Sequence, residues 1–576
     1  MTADRLLAQA ARRAPWWSVL FVLAMVVGAG SGLLLPAALA GAVDAALKGA
    51  GFGIALVSLG TLLVADTFAS LVAGVAGARY SAVTSAWLRH RLLRHTLALG
   101  IPGQRRFAAG DVLSRLTGDA PGAGQVLPAL AGVVVAVISA LGAVVALWLI
   151  DWALAVAFLV GVLPIFVLVR VFMAQASGLF VGYQRAQAAI AARLLDAFTG
   201  IRTIRVSGTA EQEIDRILVP LGELDACGRA LWHAQRQVGW QAGLLVPALE
   251  VVVLAVAGFG VAAGRVTPGQ LLAAVGYVRI AVGMFEQIET LVGIVRARAS
   301  ATRVAEVLAV APPSRPVLRA LPAGPGALQL RGVTVRAGDT LTLDRLDLEV
   351  PAGCCVAVVG RCGAGKTTLA LLVGGLLLPD EGEVLLDGVP VTALASEQLR
   401  TAVAYAFARP FLFDGTVHDA IAFAQPTLSR AQVEQAARVA AADGFIRRLP
   451  AGYDTPLTQA PLSGGEAQRL GLARAIAWDG RVMVFDDATS SLDTATEVTV
   501  SAALAGLLAG RTTIVVAHRA ATAARADLVA WLEGGRLRRL GPHVRLWDDP
   551  EYRAVFAAEA PVPVRVQAGV RQEARA

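Results

Sequence analysis

The sequence predicts two unlike parts, an α-helical membrane-spanning half followed by an α/β half. Three observations carry this. Of 576 residues, 56% are hydrophobic and only 16% charged, with a mean hydropathy of +0.62, far from the composition of a soluble protein. The apolar residues gather, up to about residue 295, into runs long enough to cross a bilayer, which takes about 20 residues. Beyond a stretch rich in proline and glycine, short β-type runs alternate with helical ones, the pattern of an α/β domain. A chain of this length holds several domain equivalents.

Residues 1–16 read as a short amphipathic helix bearing arginines, stopped at Pro15 and lying on the inner membrane face. The membrane domain follows over 17–310. Its six runs are Ala14 to Val43, about Gly51 to Ala78, Ala120 to Ile150, Trp152 to Val169, about Ala242 to Gly264 and about Leu271 to Val295. The connections alternate in charge. Between runs two and three lie Arg79, Arg89, Arg91, Arg94, Arg105, Arg106 and Arg115. Between runs four and five lie Arg185, Arg193, Arg202, Arg205, Arg216, Arg229 and Arg236. The remaining connections are short and carry at most Lys48 or Arg265. Arginine excess marks cytoplasmic loops, so both termini and the two long loops are inside.

The formal charge of +8 thus reports membrane orientation. No basic stripe is interleaved with aromatics, which excludes nucleic acid as a partner. Each long loop has a helical pattern and one turn-bounded piece, Gly103 to Asp111 and Asp196 to Gly208. Helices that protrude inward and end in short cross-pieces can transmit force from a soluble motor. Cys227, Cys354, Cys355 and Cys362 lack metal-ligand spacing and read as reduced thiols. No cleavable signal peptide is expected, because the first run is too long and more spans follow.

Residues 311–326 form a linker, 327–560 the α/β domain, and 561–576 a disordered tail. Inside the α/β domain the apolar run Cys354 to Val359 leads into Gly360-Arg361-Cys362-Gly363-Ala364-Gly365-Lys366-Thr367-Thr368. A buried strand, a G-x-x-x-x-G-K-T turn and a helix make a P-loop. Its glycines let backbone N–H groups close around phosphate at a helix N-terminus. Lys366 reaches the outer phosphates and the Thr367 hydroxyl suits Mg2+. Only two lysines occur, Lys48 and Lys366. Arginine is used almost everywhere else, yet a compact point charge is kept where phosphate needs one.

Further along come Leu462-Ser463-Gly464-Gly465-Glu466-Ala467-Gln468-Arg469, then the strand Val482 to Phe485 ending in Asp486-Asp487, then Ser490-Ser491-Leu492-Asp493, and His518 after another strand. A carboxylate at a strand end beside a P-loop is the Walker B arrangement for Mg2+. In this order the motifs resemble the ABC exporter half-transporters over essentially the whole chain. The resemblance implies an ABC-type ATPase and translocase of a bacterial inner membrane, multi-pass, with its nucleotide-binding domain in the cytoplasm and ATP and Mg2+ as cofactors. It implies that two halves dimerise, each ATP lying between one P-loop and the other half's signature loop. Gly360 to Thr368 then bind phosphates, Thr367 and Asp486 hold Mg2+, Asp487 and His518 are catalytic, and Ser463, Gly464, Gly465 and Glu466 close over the partner's ATP.

Three departures from the family pattern fall in one site. The family stacks adenine on an aromatic upstream of the P-loop, near Ala337 here, and no aromatic or histidine lies between Phe285 and Tyr405. A glutamine is expected where Ala408 stands, and 401–424 contains none. A glutamate is expected where Asp487 stands, one methylene or roughly 1.5 Å shorter in reach. The expectation is a site that binds MgATP but hydrolyses it poorly, beside an intact signature loop that completes a partner's site. A second half-transporter is therefore expected as partner, a heterodimer in preference to a homodimer. The cargo expected is a small peptide, natural product or other amphipathic molecule moved outward across the lipid bilayer. A gating subunit, or uptake of a siderophore-like substrate through the same fold, are the alternatives. Asp66, Glu250, Arg279, Glu286 and Glu289 lie within the spans. Ionisable groups there line a cavity or pair with one another, so they form a candidate substrate cavity or an internal ion pair.

Overall fold

The apolar runs of the first half all become helix in the structure, a computed structural model that describes residues 2–557 apart from 313–318, 339, 424 and 426. The expected tail and most of the linker lie outside the described residues. The chain divides into two units, one of residues 1–97 and 107–310, the other of 98–106 and everything from 311 onward.

In the first unit the helix Ala3–Ala11 buries Leu6 and Ala10. The guanidinium groups of Arg13 and Arg91 lie over the Trp87 ring. Pro15 does not simply stop this helix. It opens the next one, Pro15–Lys48, from the first-turn position, where a missing N–H costs nothing. Among the described residues, five helical segments are long and apolar enough to cross a membrane, within Pro15–Lys48, Phe52–Arg106, Ala109–Ile150, Trp152–Phe172 and Ala210–Ala262. The sixth run is interrupted, contrary to the sequence expectation. A helix Pro268–Val282 gives way to a 3-10 turn, Gly283–Gln287, before helix resumes over Ile288–Ala309. Gly283, a poor helix former, stands at the break.

Small residues set how closely these helices approach. A Cβ on Gly269 would lie 2.1 Å from the Ala40 carbonyl oxygen. Asp44 fastens that contact, accepting from the Gly269 N–H at 2.8 Å and the Thr267 hydroxyl at 2.5 Å. The outer end of the first span is thereby tied to the start of the sixth.

The two turn-bounded pieces are short helical segments, one of them displaced from its expected place. The backbone breaks at Gly100 (φ 60°, ψ −146°), so the first piece begins at Ile101. Gly103 stays helical, because Gly100 carries the left-handed turn instead. Residues 98–106 belong with the second unit, and Ile101 packs on its hydrophobic core. The second piece is the helix Ile201–Ser207, ended by Gly208 at φ 67°.

Among the described residues the second unit has ten strands: β1 (Leu328–Ala337), β2 (Thr340–Val350), β3 (Cys355–Val359), β4 (Glu381–Leu386), β5 (Val389–Pro390), β6 (Val403–Phe407), β7 (Val482–Asp486), β8 (Thr512–Val516), β9 (Leu528–Glu533) and β10 (Arg536–Gly541). One sheet has the order β2-β1-β4-β5 and pairs antiparallel. The other runs β10-β9-β3-β8-β7-β6, parallel from β9 to β6 with Val356 opposite Ile514 and Val484 opposite Ile514 on the other side. β7 is buried at every position, the near-continuous apolar run of a strand covered on both faces. In such sheets ligands gather beyond the carboxyl ends of the strands. The ends of β3, β8 and β7, three adjacent strands, are where Gly360, His518 and Asp486 stand.

Candidate nucleotide site

The loop after β3 turns through Gly363 (φ 81°) and Gly365 (φ 93°) into the helix Lys366–Val373. Both glycines take the left-handed region that a side chain resists. Gly365 is also closed sterically, since a Cβ would lie 2.6 Å from Leu343 Cδ2 and 2.7 Å from the Thr342 carbonyl oxygen. Lys366 is buried, and its ammonium donates to the Gly360 carbonyl at 2.7 Å and the Arg361 carbonyl at 3.2 Å. The cation is thus held over the loop that would cradle phosphate. At the far end of this helix, the Tyr405 hydroxyl donates to the Ala370 carbonyl and accepts from the Gly374 N–H, each at 2.8 Å. Tyr405 pins the helix to β6.

Asp486 ends β7 with a buried carboxylate. The Thr367 hydroxyl donates to it at 3.2 Å. Burial pushes its carboxyl above the usual range, the Thr367 bond opposes that, and the neighbouring Asp487 charge adds to it. His518 and Lys366 lie close enough to draw the Asp486 carboxyl back down. A hydroxyl and a carboxylate brought together beside a phosphate loop are hard oxygen donors of the kind Mg2+ takes, so these two residues fit that ion. Asp487 follows in the left-handed region, at φ 55°, an uncommon place for a residue with a side chain. Asp487 and His518 share the wall of a cavity of about 740 Å³ with Glu497, Leu504 and Arg519. That cavity is lined by neither the P-loop nor Asp486; what brings Gly360–Thr368, Asp486, Asp487 and His518 together is the carboxyl edge of the adjacent strands β3, β8 and β7, with Thr367 bonded to Asp486 across it.

The signature loop is set by local chemistry. Ser463 caps the helix Gly464–Trp478 in a capping box. Its hydroxyl accepts from the Glu466 N–H at 3.3 Å, and Glu466 accepts from the Ser463 N–H at 2.9 Å. That backbone bond holds the Glu466 carboxyl below its ordinary range. The helix packs against the loop after β6, since a Cβ on Gly471 would meet Pro410 at 2.5 Å. Ala337, at the exposed end of β1, pairs with Thr340. Ala408 offers its backbone carbonyl to Gln468 at 3.2 Å.

Two contributors were not read from the sequence, Tyr405 and Gln468. Gln468 is buried on the same helix face as Leu472 and Ala475, and a polar residue on that face is the signal that could have found it. Among the membrane charges, Arg279 lies 3.7 Å from Glu250, while Asp66 accepts from Ser31 at 3.4 Å. The side chains of Glu286 and Glu289 lie outside the described parts of the structure. Cys354 and Cys355 stand at the amino end of β3, away from the loop at its carboxyl end. Burial pushes the Cys355 thiol up to about 12.

Comparison with known proteins agrees with this geometry. The family described as "ABC transporter transmembrane region" matches residues 17–285, and that described as "ABC transporter" matches 343–490. The ABC transporter ATP-binding protein RamA of Streptomyces coelicolor is 45% identical, covering 94% of this chain and 85% of that protein. An ATP-dependent lipid A-core flippase of Chromobacterium violaceum is 31% identical, covering 83% and 84%. The solved structure of a bacterial Atm1-family ABC exporter with ATP bound superposes with a TM-score of 0.77 at 27% identity, covering 96% of this chain and 99% of that one. A P-loop, a carboxylate-ended strand and a capped signature helix, fused to a bundle of membrane-spanning helices, agree with these likenesses from end to end: the chain belongs to the ABC transporter family, as a multi-pass exporter half-transporter with a cytoplasmic ATPase domain.

Proposed function

We propose that this chain is the slow-site half of a heterodimeric exporter. Its own P-loop binds MgATP and turns it over poorly, while Ser463, Gly464, Gly465 and Glu466 complete a faster site on a different half-transporter. The observation that carries this reading is the conjunction of Ala337, Ala408 and Asp487 around an otherwise complete site. Ala337 gives adenine no ring to stack on. Ala408 contributes a backbone carbonyl where an amide side chain is expected. Asp487 falls short of the water that a longer carboxylate reaches, and a misplacement of about 1 Å costs about a hundredfold in rate. Thr367 and Asp486 would hold Mg2+, Lys366 and the loop glycines would hold the phosphates, and His518 stands just past the end of β8, the strand between β3 and β7. Bound Mg2+ supplies neutralisation of phosphate charge.

The cargo is an amphipathic molecule. Two of the similar proteins bear on this: the lipid A-core flippase of Chromobacterium violaceum carries a lipid in its name, and RamA belongs to a streptomycete. Asp66, Glu250 and Arg279 supply the polar groups within the spans that such a molecule would meet.

Asp487→Glu tests the site. Restoring the reach of the carboxylate should raise turnover at this chain's P-loop by about tenfold or more, because part of the misplacement is removed. Unchanged single-turnover hydrolysis in D487E would remove Asp487 as the cause. Co-purification with a second half-transporter that carries the adenine-stacking aromatic, the glutamine and the glutamate should raise ATPase far above that of either half alone, and equal activity with and without it would count for a homodimer.

A further inference from the structure

Gln468 lies five residues beyond the signature serine and is 1% exposed. Its amide joins two other segments of the chain, the loop after β6 and the stretch Asp487–Ser491 after β7. The amide nitrogen donates to the Asp487 carbonyl at 3.0 Å, to the Ala408 carbonyl at 3.2 Å and to the Ser490 hydroxyl at 3.2 Å. The amide oxygen accepts from the Ser491 N–H at 2.9 Å. Carbonyls on one side and an N–H on the other leave the amide a single chemically sensible orientation. Two N–H groups serve three acceptors, so one of those bonds is shared.

The segments joined in this way are the ones whose relative placement matters. Asp487 stands in the left-handed region, and its carbonyl also accepts from the Ser490 hydroxyl at 3.0 Å. Residues held in such conformations need surroundings that over-determine them. Ahead of Asp487, Asp486 is bonded to Thr367 of the P-loop helix. Beyond it, the Ser491 carbonyl lies 3.0 Å from where a Cβ on Gly465 would be. A hydrogen-bonded path therefore runs from the P-loop through Thr367, Asp486 and Asp487 to Gln468, and thence into the helix that carries Ser463.

We infer that Gln468 is a positioning residue that transmits occupancy of this chain's P-loop to its own signature loop. It touches neither phosphate nor the metal pair. Any shift of Asp486 that accompanies MgATP binding moves the Asp487 carbonyl, and the buried amide carries that shift into the signature helix. The consequence for a partner rests on the proposed function above. If the signature loop closes over the partner's nucleotide, Gln468 lets a slow site set the readiness of a fast one.

The test uses the full-length chain in lipid nanodiscs, MgATP as the probe, and hydrogen exchange read at Ser463–Glu466. In the unaltered chain MgATP should change exchange there by about fivefold, the population shift worth one net hydrogen bond. Gln468→Ala should abolish that response while the affinity for MgATP stays within about threefold, a shift smaller than one net hydrogen bond. Gln468→Glu distinguishes positioning from mere packing. Its carboxylate cannot donate to three acceptors, so the response should be absent at pH 8. As pH falls and the acid protonates, it regains an O–H donor and the response, corrected for the intrinsic exchange rate, should return. The proposal is overturned by an unaltered chain that shows no response, by Q468A that keeps it, by Q468A that loses ATP affinity in parallel, or by Q468E that stays flat with pH. None of these readouts depends on hydrolysis. Failure of the slow-site reading would show instead as rapid turnover by the chain alone, and would leave the exchange result standing.

Discussion

Asp486 shows how the site's chemistry is set against its stability. Its carboxyl sits above the ordinary range because burial penalises the charge. A folded-state value raised above the unfolded one means the native state gains stability as pH falls and loses it as pH rises through the folded value. At neutral pH the charged carboxylate therefore costs folding free energy. Asp486→Asn should raise the melting temperature of the nucleotide-free chain and remove the Mg2+ dependence of ATP binding. A fall in melting temperature would show that the Thr367 bond outweighs burial. Glu466 is the opposite case, its carboxyl lowered chiefly by the Ser463 N–H. That contribution is present above the unfolded value and is lost as pH falls through the lowered one. Glu466→Ala should cost about 1 kcal/mol of helix stability, the usual worth of a cap, read by denaturant unfolding of the full chain.

At the scale of elements, the signature helix is held by shape as well as by its cap. Gly471→Ala would set a methyl group 2.5 Å from Pro410 Cβ. The helix or the loop after β6 must then shift, and overpacking of this kind costs about 1–3 kcal/mol. The variant should destabilise the chain while leaving affinity for ATP nearly unchanged, and a loss of binding in parallel would contradict that separation. Elements of this kind differ in how legible they were in the sequence. The P-loop, the strand ending in Asp486-Asp487 and the capped signature loop were readable because each is a contiguous pattern with its own local physics. The break in the sixth run was not, because hydropathy averages over Gly283 and continues on the far side. The first cross-piece was misplaced because two glycines, Gly100 and Gly103, stand three residues apart and only one takes the left-handed turn. Gln468 escaped notice for another reason: its partners lie 19 to 60 residues away in the chain, and nothing local announces them.

At the scale of the whole molecule, a helical membrane unit and a P-loop α/β unit form one half of an exporter, and residues 98–106, which the sequence pattern assigns to the membrane part, belong with the second unit. The fold follows from patterning and the family from motif order, whereas the division of labour proposed between two ATP sites rests on small groups, one ring, one amide and one methylene. The most direct measurement of that claim is the steady-state ATPase of the purified full-length chain in lipid, without any second half-transporter. The slow-site reading predicts turnover below about 0.1 per second, a hundredfold under the roughly 10 per second of an ordinary enzyme, with MgATP nonetheless bound stoichiometrically. Sustained hydrolysis by the chain alone at about 1–10 per second, within the ordinary enzyme range, would contradict it.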